Sequence, residues 1–342
     1  MCMEFIEEHY PACDIKDDVP QGGCSFTVRL QRAEQAANVS TKRGETFIVQ
    51  FRPGRYAVSD QIMSTPRLWY GRLAPLMEEV GRVHARASED IQVCRISFVS
   101  GMRLDEVLSD FRRSDADQDD REKYESLMED IADVHARAWR AGVREIRRTG
   151  KRTACDGRVG SSLLSRLRKL ATGLPSRDLR SIARQSEKRV EAGELDVLPV
   201  VFTHGDLLPS NILVDPRTWR INGLIDWAES EMLPFGISLC AVEHVFGALC
   251  RSKSSCRFEY LRNAHSLRQC FRTRLSFKIP ELYESRYAEA VALARTVGIL
   301  LWHGFAWDQG RVDRVVEPGR DSDELAYLTA FLEHPAAACS RL

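Results

Sequence analysis

Residues 200–230 read VVFTHGDLLPSNILVDPRTWRINGLIDWAES and carry the most informative pattern of this 342-residue chain. The apolar run 212–214 and the strand-like run 220–225 are separated by a segment with Asp and Pro, which favour a tight turn, so the pattern predicts a β-hairpin. Four polar side chains flank these runs and the preceding apolar run: His204, Asp206, Asn211 and Asp226. A rigid hairpin can direct such side chains towards one point.

Phosphoryl transfer requires the chemical groups that this segment contains. One carboxylate orients an attacking hydroxyl and accepts its proton, while a second carboxylate and an amide oxygen hold Mg²⁺, which prefers oxygen ligands. The order His-x-Asp, then Asn five residues later, then a further Asp is typical of a kinase catalytic loop and its metal-binding Asp. The alternative is a buried hairpin whose Asp and Asn residues only cap turns. The complete set in this order favours the kinase-type site.

The same residues resemble a known superfamily. The stretch 204–215 (HGDLLPSNILVD), followed by 225–227 (IDW), is similar to the signature of the aminoglycoside phosphotransferase and choline-kinase-like small-molecule kinases. Other stretches resemble the fungal-type branch of that superfamily: 48–52 (IVQFR), 227–229 (WAE), 233–236 (LPFG) and 327–332 (YLTAFL). The resemblance extends over most of the chain, but only the block 204–227 is highly specific.

The resemblance implies a two-lobed, protein-kinase-like α+β fold, with a small antiparallel-sheet N-terminal lobe and a large, mostly helical C-terminal lobe. It implies that Asp206 is the catalytic base, that Asn211 and Asp226 bind Mg²⁺, and that ATP and a small-molecule hydroxyl substrate bind between the lobes. His204 is grouped with the catalytic residues, and we expect it to hold the loop by hydrogen bonds. Aminoglycosides, choline-like amines, sugars and secondary-metabolite alcohols all remain open as acceptors.

A glycine-containing turn near the N-terminus is a candidate for nucleotide binding. Gly22, Gly23 and Ser25 precede an alternating strand pattern at 26–30. Small residues at such a turn let backbone N–H groups approach phosphate oxygens. The alternative is an ordinary turn, which most Gly-Gly pairs mark.

The second strand pattern, 46–52, departs from the superfamily. The resemblance implies a phosphate-binding Lys or Arg where this chain has Gln50, and a neutral amide cannot neutralise phosphate charge. Arg52 follows two residues later on the same face and can supply a guanidinium instead. The alternative is that Arg52 is a solvated charge at the strand end.

Two other residues expected from the resemblance are missing. No Glu lies in 59–76 to pair with the basic residue of the strand, so only Glu78 or Glu79 is left for that role. No Asp lies in 236–239, where relatives place one to brace the catalytic loop. These departures favour a rival hypothesis, a catalytically impaired pseudokinase or binding module. A third hypothesis is a kinase scaffold repurposed for another reaction.

The chain changes character near residue 100. Strand-like alternation gives way to helical periodicity, which predicts a nucleotide-binding lobe at 1–100, a hinge at 100–104 and a helical lobe with the catalytic loop at 101–342. Apolar residues predict helices at 127–139, 237–250 and 286–307.

The amino-acid composition limits the classes of binding partner that the chain is expected to have. The 49 basic and 49 acidic residues give a formal net charge of zero, so no overall electrostatic field favours binding to nucleic acid or to an anionic membrane. The basic stretches 144–152 and 166–189 lack interleaved aromatics, which argues against nucleic acid, while the acidic loop 115–120 could attract a cationic substrate. No stretch predicts a membrane span or a secretory signal.

The ten cysteines lack a regular spacing, which predicts free thiols and a cytoplasmic location. The oligomeric state stays open.

Overall fold

A computed structural model describes residues 1–16, 19, 21–33, 44–84, 89–113, 121–252, 255–308 and 311–333. The chain divides into two compact units, Met1–Ser100 and Gly101–Leu342. The acidic loop 115–120 lies outside the described residues. In the described part of the chain, no helix is long and apolar enough to cross a membrane.

The first unit is built on a five-stranded antiparallel sheet with the strand order β1-β2-β3-β5-β4. Its helices and strands are α1 (Cys2–His9), β1 (Cys13–Lys16), β2 (Phe26–Arg32), β3 (Thr46–Pro53), α2 (Asp60–Tyr70), β4 (Met77–Val83) and β5 (Ile91–Ser97).

Alternation along β2 and β3 gives this sheet two different faces, as the sequence predicts. One face is apolar and packs against α1 through a buried cluster: Phe5, Ile6, Val28, Leu30, Phe47, Val49, Phe51 and Val93. The other face carries polar side chains, and Thr27, Gln50 and Cys94 stand in register across its three central strands. The polar face therefore presents the candidate nucleotide-binding residues.

The second unit is mostly helical. Its helices are α3 (Leu104–Arg113), α4 (Arg121–Thr149), α5 (Gly157–Gly160), α6 (Leu163–Gly173), α7 (Arg177–Glu191), α8 (Ala264–Lys278), α9 (Ser285–His303) and α10 (Ser322–Glu333). Its strands are β6 (Met102–Arg103), β7 (Val200–Thr203), β8 (Ile212–Val214), β9 (Ile221–Leu224), β10 (Glu231–Pro234), β11 (Gly247–Arg251), β12 (Cys256–Tyr260), β13 (Phe305–Asp308) and β14 (Arg311–Val315). These strands form the small sheets β6-β8-β9, β10-β7, β11-β12 and β13-β14.

The long helix α4 packs against β7 and β9, two strands that border residues 204–226, the candidate catalytic segment. Its apolar face, which includes Leu127, Ile131 and Val134, is buried as the helical spacing predicts. Further along α4, the ring of Trp139 packs edge-on against Phe235, with centroids 4.9 Å apart. Phe235 follows β10, the partner of β7, so this packing fixes the strand pair from which the catalytic loop emerges.

Two helix predictions are partly wrong. The predicted helix 237–250 is a 3₁₀ helix only over Ile237–Phe246, and Gly247 begins strand β11. The predicted helix 286–307 is helical up to His303, after which residues 305–308 form β13. In both cases a glycine interrupts the helix, and a following hairpin partner draws the apolar residues into a sheet.

Candidate active site

The catalytic segment begins where β7 ends, at a buried histidine. His204 is 3% exposed, and its Nε2 lies 2.9 Å from the carbonyl oxygen of Ile225. Its Nδ1 accepts the backbone N–H of Asp206 at 3.3 Å. This pattern assigns the neutral Nε2–H tautomer, and burial lowers the pKa of His204 to about 4. Because both ring nitrogens are occupied, His204 holds the loop in shape.

Asp206 and Asn211 are joined directly. The Asn211 side-chain nitrogen donates to the Asp206 backbone oxygen and to its Oδ2, both at 2.8 Å. The Asn211 backbone oxygen in turn accepts the N–H of Ile225, the residue before Asp226. The side-chain oxygen of Asn211 makes no hydrogen bond with the described residues. It is therefore available to an external cation.

The surroundings of the Asp206 carboxylate disfavour its ionised form. Burial, followed by the negative charge of Asp226, raises the pKa of Asp206 to about 6, and the hydrogen bond from Asn211 opposes that rise. Asp226 is exposed and has a left-handed backbone with φ of 60°, which few residues other than glycine adopt. Two mutually repelling carboxylates beside an amide oxygen suit a divalent cation.

Glycine is required between His204 and Asp206. Gly205 has φ of 78°, and a Cβ at this position would lie 1.8 Å from the backbone oxygen of Glu229. The backbone after Asp226 therefore packs directly on the loop that carries Asp206. Glu229 adds a third negative charge that raises the pKa of Asp206.

A serine braces the loop in which the expected Asp is missing. The hydroxyl of Ser230 lies 2.6 Å from the Trp227 carbonyl oxygen and 3.2 Å from that of His204. The indole of Trp227 packs on the His204 ring at 4.4 Å and donates to the Leu224 carbonyl oxygen. These contacts tie the two ends of the catalytic segment together.

The first unit joins Gln50 and Arg52 in one hydrogen-bond network. Gln50 donates to the hydroxyl of Ser25 at 2.9 Å, and its carbonyl oxygen accepts from Nη1 of Arg52 at 2.8 Å. Nε of Arg52 donates to the Tyr56 carbonyl oxygen at 2.8 Å. Arg52 is only 5% exposed, so the alternative of a solvated strand-end charge is wrong.

The glycines and glutamates predicted for the nucleotide site lie apart from that network. Gly22 and Gly23 are exposed in the turn before Ser25, and a Cβ on Gly22 would have open space, so that glycine is not required sterically. Glu78 and Glu79 lie on β4, not on the helix that precedes it. Glu79 accepts hydrogen bonds from Arg82 and from Gln92, and Glu78 lies 3.5 Å from Arg95.

Comparison with known proteins assigns the family. The model of a family described as "Phosphotransferase enzyme family" matches residues 27–236, from β2 past the catalytic segment. The chain belongs to the phosphotransferase enzyme family. No curated protein matches the sequence. The fungal-type branch is not tested by these matches and stays a prediction.

Solved structures of two aminoglycoside phosphotransferases share the fold. An aminoglycoside 2'-phosphotransferase-IIIa mutant bound to GDP aligns with a TM-score of 0.55 and 12% identity, covering 98% of this chain and 97% of the other. The GDP and kanamycin complex of APH(2")-IIIa aligns at 0.52 and 14% identity, covering 99% of both chains. Choline kinase LicA from Streptococcus pneumoniae aligns with a TM-score of 0.49 and 14% identity, covering 98% of this chain and 100% of the other. The first two confirm the two-lobed, kinase-like α+β fold.

Two residues near the site, Arg158 and Glu231, are not indicated by the sequence. Arg158 lies on α5 and approaches Glu229, and its Nη1 is 3.6 Å from the Glu229 Oε2. Glu231 accepts backbone N–H groups of Val159 and Gly160 at 2.8–3.0 Å. The segment 157–160 contains two glycines, which on their own predict only a turn or loop. No local pattern connects it with residues 229–231, which are distant in the sequence.

Proposed function

We propose that this family member transfers the γ-phosphoryl group of ATP to a hydroxyl of a small molecule in a Mg²⁺-dependent reaction. The observation that carries the proposal is the direct Asp206–Asn211 contact in a loop held by His204, beside Asp226. Carboxylate, amide and carboxylate are the groups that such a transfer uses as base and metal ligands.

Asp206 would be the catalytic base. It orients the acceptor hydroxyl, whose oxygen forms a bond to the γ-phosphorus as the bond from phosphorus to the β–γ bridging oxygen breaks. ADP leaves with that electron pair, and Asp206 takes the hydroxyl proton late in the transfer. A pKa of about 6 suits this role, because the carboxylate is still ionised at neutral pH but holds a proton better than an ordinary Asp.

Asn211 and Asp226 would hold Mg²⁺ through one amide and one carboxylate oxygen. The metal supplies charge neutralisation at the phosphates when bound. Among the described residues, no group of three or more His, Cys, Asp or Glu side chains could hold a metal. This fits a site whose remaining ligands are water and phosphate oxygens, since Mg²⁺ in nucleotide sites takes only one or two carboxylates.

The Gln50–Arg52 pair would bind the nucleotide phosphates in place of the superfamily's single basic residue. Two of the Arg52 nitrogens are fixed by Gln50 and by the Tyr56 carbonyl oxygen, and Nη2 makes no hydrogen bond with the described residues. A guanidinium held in this way has donors left for a phosphate oxygen. Gln50 also fixes Ser25, and Gly22 and Gly23 in the exposed turn before Ser25 would bring their backbone to the phosphates.

The experiment is a thermal-shift titration of the full chain with ATP and Mg²⁺, followed by a phosphorylation screen of small-molecule alcohols with γ-labelled ATP. GTP is included because the two aligned aminoglycoside phosphotransferases carry GDP. We expect metal-dependent stabilisation by nucleotide and label transfer to a hydroxyl compound. An aminoglycoside-, choline- or secondary-metabolite-like acceptor would be identified by this screen. Absence of metal-dependent nucleotide binding would contradict the proposal.

The second candidate function is nucleotide binding without transfer. It is favoured by one observation, the neutral Gln50 at the position of the expected basic residue. Nucleotide binding without transfer to any acceptor, and without slow hydrolysis of ATP, would support it.

A cytoplasmic location is also part of the proposal. No disulfide joins the cysteines of the described residues. Cys250 and Cys256 lie on adjacent strands of the β11–β12 hairpin, where they pair with Arg257 and Arg251. Neighbouring cross-strand pairs point to opposite faces of a hairpin, so these two thiols do not face each other.

A further inference from the structure

The short helix α5 is fixed firmly to the strand that follows the catalytic segment. The carboxylate of Glu231 accepts the N–H groups of Val159 and Gly160, and the N–H of Asp156 donates to the Met232 carbonyl oxygen at 3.1 Å. Gly157 has φ of 95°, and a Cβ there would lie 2.5 Å from Cγ of Glu231. The backbone of residues 156–160 is therefore held in one place against β10.

This arrangement directs a cation towards the catalytic loop. Arg158 is the large side chain of α5 that lies in solvent, and its guanidinium is 3.6 Å from Glu229. The backbone of Glu229 packs on Gly205, the neighbour of Asp206. Arg158 is thus connected to the catalytic loop through a single residue.

The negative charges around the Asp206 loop indicate a role for the Arg158 guanidinium. The negative charges of Asp226 and Glu229 both act on the Asp206 carboxylate, and Arg158 is the one cation of the described residues that pairs with any of these three groups. A transferring phosphoryl group carries further negative charge, which these carboxylates would repel. A divalent cation offsets only part of this charge.

The ion pair itself is weak enough to exchange. The side chains of Arg158 and Glu229 are 45% and 51% exposed, and their separation exceeds a hydrogen-bond distance. Exposed pairs of this kind contribute little, so a better oxyanion can replace Glu229 at small cost. The guanidinium nitrogens of Arg158 make no hydrogen bond with the described residues.

We propose that Arg158 is a further substrate-contacting residue. Its guanidinium separates from the Glu229 carboxylate and binds an oxygen of the γ-phosphoryl group instead. The inference rests on the proposed function, because it presumes that a nucleoside triphosphate binds beside Asp206. Glu231 serves as a positioning residue that holds α5, and through it Arg158, at the required place. The same oxyanion chemistry could come from a carboxylate of the acceptor, and the test separates the two sources.

The test compares the dissociation constants of ATP and ADP, with Mg²⁺, for the full-length wild type and its variants by titration calorimetry. Arg158→Gln should weaken ATP binding by about tenfold or more and ADP binding by less than about twofold, as expected for loss of one charge-assisted contact to the γ-phosphate. Arg158→Lys should retain most of the ATP affinity. Arg147→Gln, an exposed arginine at the end of α4, is the control for the change in net charge and should change neither constant.

A second variant tests the exchange. Glu229→Gln removes the competing carboxylate and should tighten ATP binding more than ADP binding, and this gain should disappear when combined with Arg158→Gln. Equal weakening of ATP and ADP by Arg158→Gln would overturn the γ-phosphate assignment. Unchanged nucleotide constants with a raised KM for an acceptor would also overturn it and would assign the oxyanion to the acceptor. If the wild type binds neither nucleotide, the proposed function fails as well.

Discussion

Replacing Asp206, the proposed catalytic base, should make this protein more stable at neutral pH. Burial and the charge of Asp226 raise the pKa of Asp206 from the ordinary 3.8 to about 6, so the ionised carboxylate is less favourable in the folded protein than in the unfolded chain. Asp206→Asn removes that charge and keeps the shape of the side chain. The Asn211 amide that donates to Oδ2 can donate equally to the new amide oxygen.

The pKa difference sets the size of the effect. Between 3.8 and about 6 the ionisation free energy changes by roughly 3 kcal/mol, at about 1.4 kcal/mol for each pKa unit. Because the Asp206 side chain is partly exposed and solvent screens its charge, we expect about 1–3 kcal/mol. The folded state binds the proton more tightly, so the penalty is absent below pH 4, grows between pH 4 and 6, and is complete above pH 6.

The assay is urea unfolding of wild type and Asp206→Asn from pH 4 to 8 in the presence of a chelator. The free energy of unfolding of the variant should exceed that of the wild type at pH 7 and match it at pH 4. Asp14→Asn, which removes a surface carboxylate 3.9 Å from Lys16, is the matched control and should show no such difference. Turnover of Asp206→Asn should fall by about 10²-fold or more, the low end for loss of a general base.

Two results would refute this reasoning. A stability difference that stays constant from pH 4 to 8 would show that the ionisation of Asp206 is not its cause. A variant less stable than the wild type at pH 7 would show that the carboxylate contributes a favourable interaction in the folded state. That result would contradict the unfavourable effects inferred from its burial and from repulsion by Asp226.

Other substitutions test the remaining roles. Asp226→Asn should weaken binding of Mg²⁺–ATP in calorimetry and leave the thermal unfolding midpoint nearly unchanged, because the side chain is exposed; unchanged nucleotide affinity would contradict the metal assignment. Arg52→Ala should raise KM for ATP by about tenfold and change KM for the acceptor little, as for loss of a charge-assisted contact, whereas Arg52→Lys should be milder. His204→Ala should destabilise the fold by about 2–4 kcal/mol in urea unfolding through lost packing and two lost hydrogen bonds; full stability would contradict its structural role.

The catalytic segment could be predicted from the sequence because its parts are local. Asn211 and Asp226 flank the β8–β9 hairpin, and His204 and Asp206 lie in the short loop between β7 and that hairpin, so strand ends and turns decide which side chains meet. The polar face of the first sheet was predictable for the same reason, since alternation along β3 places Gln50 and Arg52 together. In these two places, short-range pattern and final contacts coincide.

Contacts that depend on distant pairing were not predictable. Gly247 and residues 305–308 follow apolar helical patterns, but their hydrogen-bond partners, β12 and β14, draw them into strands. Arg158 gains its position because residues 231 and 232, far along the chain, accept N–H groups of residues 156–160. Neither residue type nor spacing at 157–160 indicates that partner, so the cation beside the catalytic loop emerges only from the folded structure.

The same distinction changes the meaning of Gln50. Taken alone, a neutral amide at this position indicates a lost cation and favours a pseudokinase. In the structure its amide nitrogen donates to Ser25 while its carbonyl oxygen accepts from Arg52, and only a side chain with both a donor and an acceptor can make these bonds. A lysine here would have no acceptor for Arg52 and would place two positive charges side by side. The departure from the superfamily is therefore a coupled pair, in which Gln50 orients the guanidinium that carries the charge.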